Sequence, residues 1–180
     1  MRKSHKLLFF GVVGSALVLI LLVVLQRPPL LEWLLSLYES PHLSDAKLID
    51  NFYRHRAEFE RLHDMIIQDK GLFRVDNSRT LPEDLQSIHV SLTRIREYRD
   101  LLGRLCIQGG INASEDRRYI EFIASFRGWA THNSEKGYAY TEEPVKAQDV
   151  VSNLDHFKEH EVGSGMRRIE GNWYLFYEGY

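Results

Sequence analysis

The chain has 180 residues, 23 Lys+Arg against 25 Asp+Glu, a formal charge of −2 and a single cysteine. That length holds one ordinary domain with a real core once an apolar segment is set aside. The near-neutral, slightly acidic balance argues against a nucleic-acid binder, and one thiol excludes an internal disulfide and a Cys-based metal site.

The N-terminal run Leu7–Leu25 (LLFFGVVGSALVLILLVVL) carries no charge over 19 residues. At about 1.5 Å per residue it spans roughly 28 Å, close to the ~30 Å hydrocarbon core of a bilayer. A single span must pair its backbone internally, so a transmembrane helix is expected, with the lipid bilayer as its partner. Arg2, Lys3 and Lys6 precede the run and only Arg27 closely follows. The positive-inside rule then puts the N-terminus in the cytoplasm and the remainder outside. The run ends in Val-Leu-Gln-Arg-Pro-Pro without a small-x-small cleavage site, which favours an uncleaved signal-anchor over a signal peptide. The expected domains are 1–27 (cytoplasmic tip and anchor), 28–43 (juxtamembrane connector) and 44–180 (soluble extracytoplasmic domain).

Pro28-Pro29 stops the anchor helix. Leu30–Tyr38 reads as a short amphipathic turn of helix, with Trp33 and Tyr38 suited to the headgroup layer or to packing on the domain. Ser44 starts a long helix to about Asp69, with Asp45 favourable in its first turn. Leu48, Phe52, Phe59, Leu62 and Ile66 form its buried stripe, His55 lies on that stripe, and Gly71 closes the helix.

Leu72–Asp76 alternates as a short strand, and Asn77-Ser78-Arg79 is turn chemistry. Thr80, Pro82 and Glu83 mark a helix start. The firmer helix is Ser91–Leu105, with Leu92, Ile95, Tyr98, Leu101, Leu102 and Leu105 as its buried stripe. Cys106, between Leu105 and Ile107, reads as core.

From Arg117 to Trp129 the period becomes two. Ile120, Phe122, Ala124 and Phe126 fall on one face, and Tyr119, Glu121, Ile123 and Ser125 on the other. Lys136–Thr141 is the expected partner strand. Asp149–Asp155 is a short helix or turn, Gly163-Ser164-Gly165 a flexible turn, and Arg167–Tyr180 one or two strands. The sum is an α+β fold: about two long helices packed on an antiparallel sheet of roughly four strands.

The stretches Glu170–Glu178 (EGNWYLFYE), Lys136–Tyr140 (KGYAY) and Phe59–Asp69 resemble those of small uncharacterised bacterial single-pass membrane-anchored proteins. The resemblance implies a bacterial inner (cytoplasmic) membrane protein whose C-terminal domain faces the periplasm. It carries no catalytic residue to transfer.

His156-Phe157-Lys158-Glu159-His160 matches H-x-x-E-H, in which two histidines four apart on a helix hold one zinc ion and the Glu acts as general base. Against it, Gly163 cuts a helix within a turn of His160, and few acids remain downstream for a third ligand. His132 and Ser134 share a turn but lack an orienting acid and the G-x-S-x-G context of a nucleophile elbow. No cofactor motif is present and none is expected. The leading expectation is therefore a non-enzymatic module that binds a membrane or envelope protein through Tyr138, Tyr140, Trp173, Tyr174 and Tyr177, because aromatics give large contact area. The alternatives are a metal-dependent hydrolase using His156, Glu159 and His160, and a small-ligand sensor with a pocket on the sheet.

Overall fold

A computed structural model describes residues 41–129, 132–157 and 162–180, with the side chains of Trp129 and His132 left aside. The expected anchor Leu7–Leu25 and most of the connector 28–43 lie outside the described residues. No described helix is long and apolar enough to cross a membrane.

The stripe read as one long helix is two helices. α1 (Asp45–Arg54) and α2 (Arg56–Gln68) meet at His55, whose backbone leaves the helical region at φ −119°, ψ 26°. Each keeps its share of the stripe buried: Leu48 and Phe52 on α1, Phe59, Leu62, Met65 and Ile66 on α2. His55 sits on the hinge with its side chain 37% exposed, not in the core. Past α2, Gly71 takes φ +92°, and a Cβ there would press on the Ile88 side chain at 2.7 Å, so only glycine serves.

β1 (Arg74–Val75) and β2 (Thr80–Leu81) form a hairpin where a helix start was expected at Thr80. Asp76 explains it. One oxygen of its carboxylate accepts from the N–H groups of Ser78 and Arg79 at 2.9 and 2.7 Å, turning the chain back on itself. Phe73 N–H then donates to the Leu81 carbonyl at 2.8 Å, which draws Thr80–Leu81 into the sheet.

α3 (Leu92–Arg104) starts where the Ser91 hydroxyl accepts from the Arg94 N–H. Ile95, Tyr98, Leu101 and Leu102 are buried, but Leu92, at the first turn, is 67% exposed. Cys106 is exposed at φ 57°, a left-handed position just past the helix, and not a core residue.

The remaining strands are β3 (Gly110–Ala113), β4 (Tyr119–Trp129), β5 (His132–Thr141), β6 (Gly163–Glu170) and β7 (Trp173–Gly179). A single 3-10 turn, Ala147–Asp149, precedes β6. The described strands make one seven-stranded antiparallel sheet in the order β2-β1-β3-β4-β5-β7-β6. The class α+β holds, but seven strands and three helices replace the expected four and two. β1 falls inside the expected strand Leu72–Asp76, while the short β2 and β3 have an apolar pattern too brief to read. Arg167–Tyr180 holds two strands, and the first of them, β6, starts earlier than expected: Gly163-Ser164-Gly165 is the beginning of its ladder, opposite Gly179, Glu178 and Tyr177, and not a flexible turn. The outer edge of β6 is partly closed by Val151, whose N–H donates to the Met166 carbonyl at 2.8 Å.

The helices cover one face of the sheet. Phe52 and Phe59 pack on Tyr138, Trp173 and Phe122 with ring centroids 4.5–6.3 Å apart. A second cluster, Ile123, Ala139 and Phe176 with Tyr119 and Met166 against it, lies on the other face and includes no helical residue.

The two-residue period of β4 breaks at a bulge. Phe122 pairs with Tyr138 and Ser125 with Lys136, so Ile123 and Ala124 together oppose Gly137. A Cβ on Gly137 would lie 2.2 Å from the Phe122 carbonyl oxygen, which is why the bulge needs glycine there. Beyond it the faces exchange. Ser125 turns inward, 2% exposed, and Phe126, expected in the core, turns outward at 43%. This inversion builds both polar features described next.

Candidate functional site

On the inner face, past the bulge, Lys136 is buried among polar groups. Its ammonium lies 2.8 Å from Asp45 Oδ1 and 2.6 Å from Asp155 Oδ1, and its side chain is 3% exposed. Asp45 Oδ2 accepts from the Leu154 N–H and from Arg167 Nη1, both at 2.8 Å. The Asp45 N–H in turn donates to Asp155 Oδ1 at 2.9 Å. Burial pushes the Asp45 carboxyl up, but the Leu154 N–H, Lys136 and Arg167 outweigh it and hold the group below the usual range. Asp45 is thus less a complement to the helix dipole than the counter-ion of two cations on the sheet.

Beside this network, His42 Nδ1 lies 2.6 Å from Ser125 Oγ and Nε2 lies 2.8 Å from Ser134 Oγ. A neutral imidazole donates from one nitrogen and accepts at the other, so one hydroxyl receives a proton and the other gives one. A cavity of about 260 Å³ opens next to it, walled by His42, Lys136, Asp155, Phe157 and Tyr177. Phe157 stacks on Tyr177 at 4.6 Å and 8°. The serine–histidine contact of Ser134 is with His42. Ser134 is 0% and Ser125 2% exposed, so neither hydroxyl reaches a substrate. In a catalytic triad one nitrogen faces a carboxylate; here each faces a hydroxyl. The cluster locks the start of the domain, His42 to Asp45, onto β4, β5 and β6.

On the outer face a groove of about 430 Å³ runs from the β1–β2 turn to β5. Arg74, Asp76, Arg79, Gln108, Ile123, Phe126 and Glu135 are among its walls. Arg74 is engaged: it donates to Asp76 Oδ2 at 3.1 Å, Asn112 Oδ1 at 2.9 Å and the Gly109 carbonyl at 3.2 Å. Asp76 is held at about 2: burial opposes ionisation, but the Ser78 and Arg79 N–H groups and Arg74 favour it more strongly. Glu135 differs. Burial pushes its carboxyl up, Glu121 and Glu178 add to that, and the charge of Arg74 opposes them only in part, without a hydrogen bond. Glu178 lies directly opposite Glu135 in the β5–β7 register. Burial likewise raises Glu121, against a bond from Asn112.

The five aromatics proposed for binding do not share a surface. Tyr138, Trp173 and Tyr177 are core, at 0%, 5% and 2% exposure. The Tyr138 hydroxyl donates to the Leu48 carbonyl and accepts from Asn51 Nδ2, and burial raises the phenol to about 12. Tyr140 is half-buried on the helix side, its ring 4.1 Å from that of His63. Tyr174 is half-buried on the opposite face, in register with Ala139 and Arg168. His156 sits in a turn with its ring 4.2 Å from Phe157, while Glu159 and His160 lie outside the described residues. Among the described residues no group of three or more His, Cys, Asp or Glu side chains gathers around a metal position.

Sequence reasoning missed His42, Ser125, Lys136, Phe126 and Glu135 as site residues. One signal was present: Lys136 shares strand parity with Tyr138 and Tyr140, and a lysine on an aromatic core face needs buried counter-ions. No protein-family model, no curated protein and no solved structure matches this chain.

Proposed function

We propose that this chain is a membrane-tethered extracytoplasmic binding domain, held to a bacterial inner membrane through Leu7–Leu25 and facing the periplasm. Its role is interaction with a protein or envelope component, not catalysis. The tether is supported by the uncharged apolar run and the basic residues before it. The binding role is supported by the face of the sheet that no described helix covers. There Phe126 is 43% exposed beside the 430 Å³ groove, and the Ile123, Ala139 and Phe176 cluster has no described helix over it. Exposed aromatics beside a concave polar rim are the usual anchors of recognition.

A photo-reactive phenylalanine analogue at position 126, introduced into the full-length chain in its native membrane, tests this. A discrete adduct lost on competition with unlabelled chain is expected. Absence of any adduct, with the chain present at normal level, contradicts the role. The groove also favours the narrower reading of a small-ligand sensor, since its volume falls within the roughly 300–1,000 Å³ of small-molecule sites.

A further inference from the structure

We propose that the outer groove binds a short apolar peptide with free termini. This rests on the domain being a binding module, but not on where the domain sits.

The groove carries one unengaged charge of each sign. Glu135, at the β5 end, has a half-buried carboxylate with no hydrogen bond or ion pair among the described residues. Arg79, on the β1–β2 turn at the other end, has an exposed guanidinium with no ion pair among them. Both walls are otherwise engaged: Arg74 is held by Asp76, Asn112 and Gly109, and Asp76 by its own turn. Strands β1, β3 and β4 separate the two ends, and the floor between them is apolar, with Ile123 and the exposed Phe126 ring.

A simple anion would meet Glu135, with Glu121 and Glu178 behind it on the same face. A simple cation would meet Arg79. A zwitterion satisfies both: its ammonium takes the donor-starved carboxylate of Glu135, and its carboxylate takes the planar fork of Arg79. Its side chain covers Phe126 and Ile123, and Gln108 and Ser78 add neutral hydrogen-bonding groups at the rim.

The test is calorimetric titration of the purified full-length chain with the dipeptide Leu-Phe, alongside N-acetyl-Leu-Phe and Leu-Phe amide. Binding of Leu-Phe is expected. Acetylating its amine or amidating its carboxylate should each weaken it at least tenfold. Glu135→Gln should reproduce the first loss and Arg79→Ala the second, and E135Q should make acetylation cost nothing further. The proposal is overturned if Leu-Phe does not bind, or if the blocked probes bind as well as the free one. The blocked probes need no variant, so the result stands even where a substitution disturbs the fold. Loss of membrane association would sink the tether and leave this outcome untouched.

Discussion

The ammonium of Lys136, in mid-strand on β5, lies 2.8 Å from the carboxylate of Asp45 in the first turn of α1, with both side chains at most 3% exposed. The pair joins the first described helix to the centre of the sheet. Asp155 gives Lys136 a second carboxylate, and Arg167 and the Leu154 N–H fill Asp45 Oδ2. Breaking one partner of such a pair leaves an uncompensated buried charge. Lys136→Met should therefore destabilise the domain by about 3–5 kcal/mol, and the double variant K136M/D45N by less than the sum of the singles. Urea unfolding of the four proteins checks both statements.

Gly137 is the second fixed point. Its missing side chain admits the bulge that turns Ser125 in and Phe126 out. Gly137→Ala places a Cβ against backbone at 2.2 Å, which no rotamer relieves. A loss of about 2 kcal/mol or more is expected. Because the bulge aims both polar features, the same variant should weaken the His42–Ser125 contact, visible as a shift of the His42 ring resonances.

Stability should respond to pH in two opposed ways. Asp76 titrates at about 2 in the folded chain against 3.8 for the free group. Its folded value is depressed, so its contribution is complete above about pH 5 and disappears as pH falls toward 2. That difference corresponds to about 2 kcal/mol. Asp45 acts in the same direction. Glu121 and Glu135 are raised, so their contribution is complete below about 4.5 and is lost as pH rises through their folded values. Burial sets the sign, with Glu178 adding to it at both carboxyls and Glu121 at Glu135; Asn112 and Tyr119 oppose it at Glu121, and Arg74 opposes it at both. Hence D76N should flatten the acid limb of a stability-versus-pH curve, and E135Q should raise stability at pH 7 while leaving pH 3.5 nearly unchanged. Thermal melts from pH 2 to 8 read both.

The aromatic core offers a simpler check. Phe59 is fully buried between Tyr138, Phe122 and Trp173. Phe59→Ala should cost about 3–5 kcal/mol, since the rigid rings around it cannot close the space. Leu92→Ala should cost under about 0.5 kcal/mol, because the leucine is 67% exposed despite its place on the helical stripe.

The sequence carried the long-range periodicities well. The α3 stripe, the first half of β4 and the α+β class follow from spacing alone. It did not carry features created by pairing. A bulge is invisible until the partner strand is known, so Phe126 and Ser125 were assigned to each other's faces. Gly110–Ala113 (GINA) is a strand only because β1 and β4 flank it. The polar cluster was hidden for the same reason: Asp45, Lys136 and Asp155 are 91 and 19 residues apart, and only the folded sheet brings them together. Tyr138, Trp173 and Tyr177 are core because β5 and β7 turn them to the inner face, where Phe52 and Phe59 cover the first two and Phe157 the third.

The tether and the orientation meet their most direct test in one measurement. A C-terminally tagged full-length chain is followed through membrane fractionation and then through protease treatment of intact spheroplasts. The account predicts the tag in the membrane pellet, released only by detergent and digested from outside without lysis. Recovery of the full-length chain in the aqueous fraction, or a tag protected until the spheroplasts are opened, would contradict it.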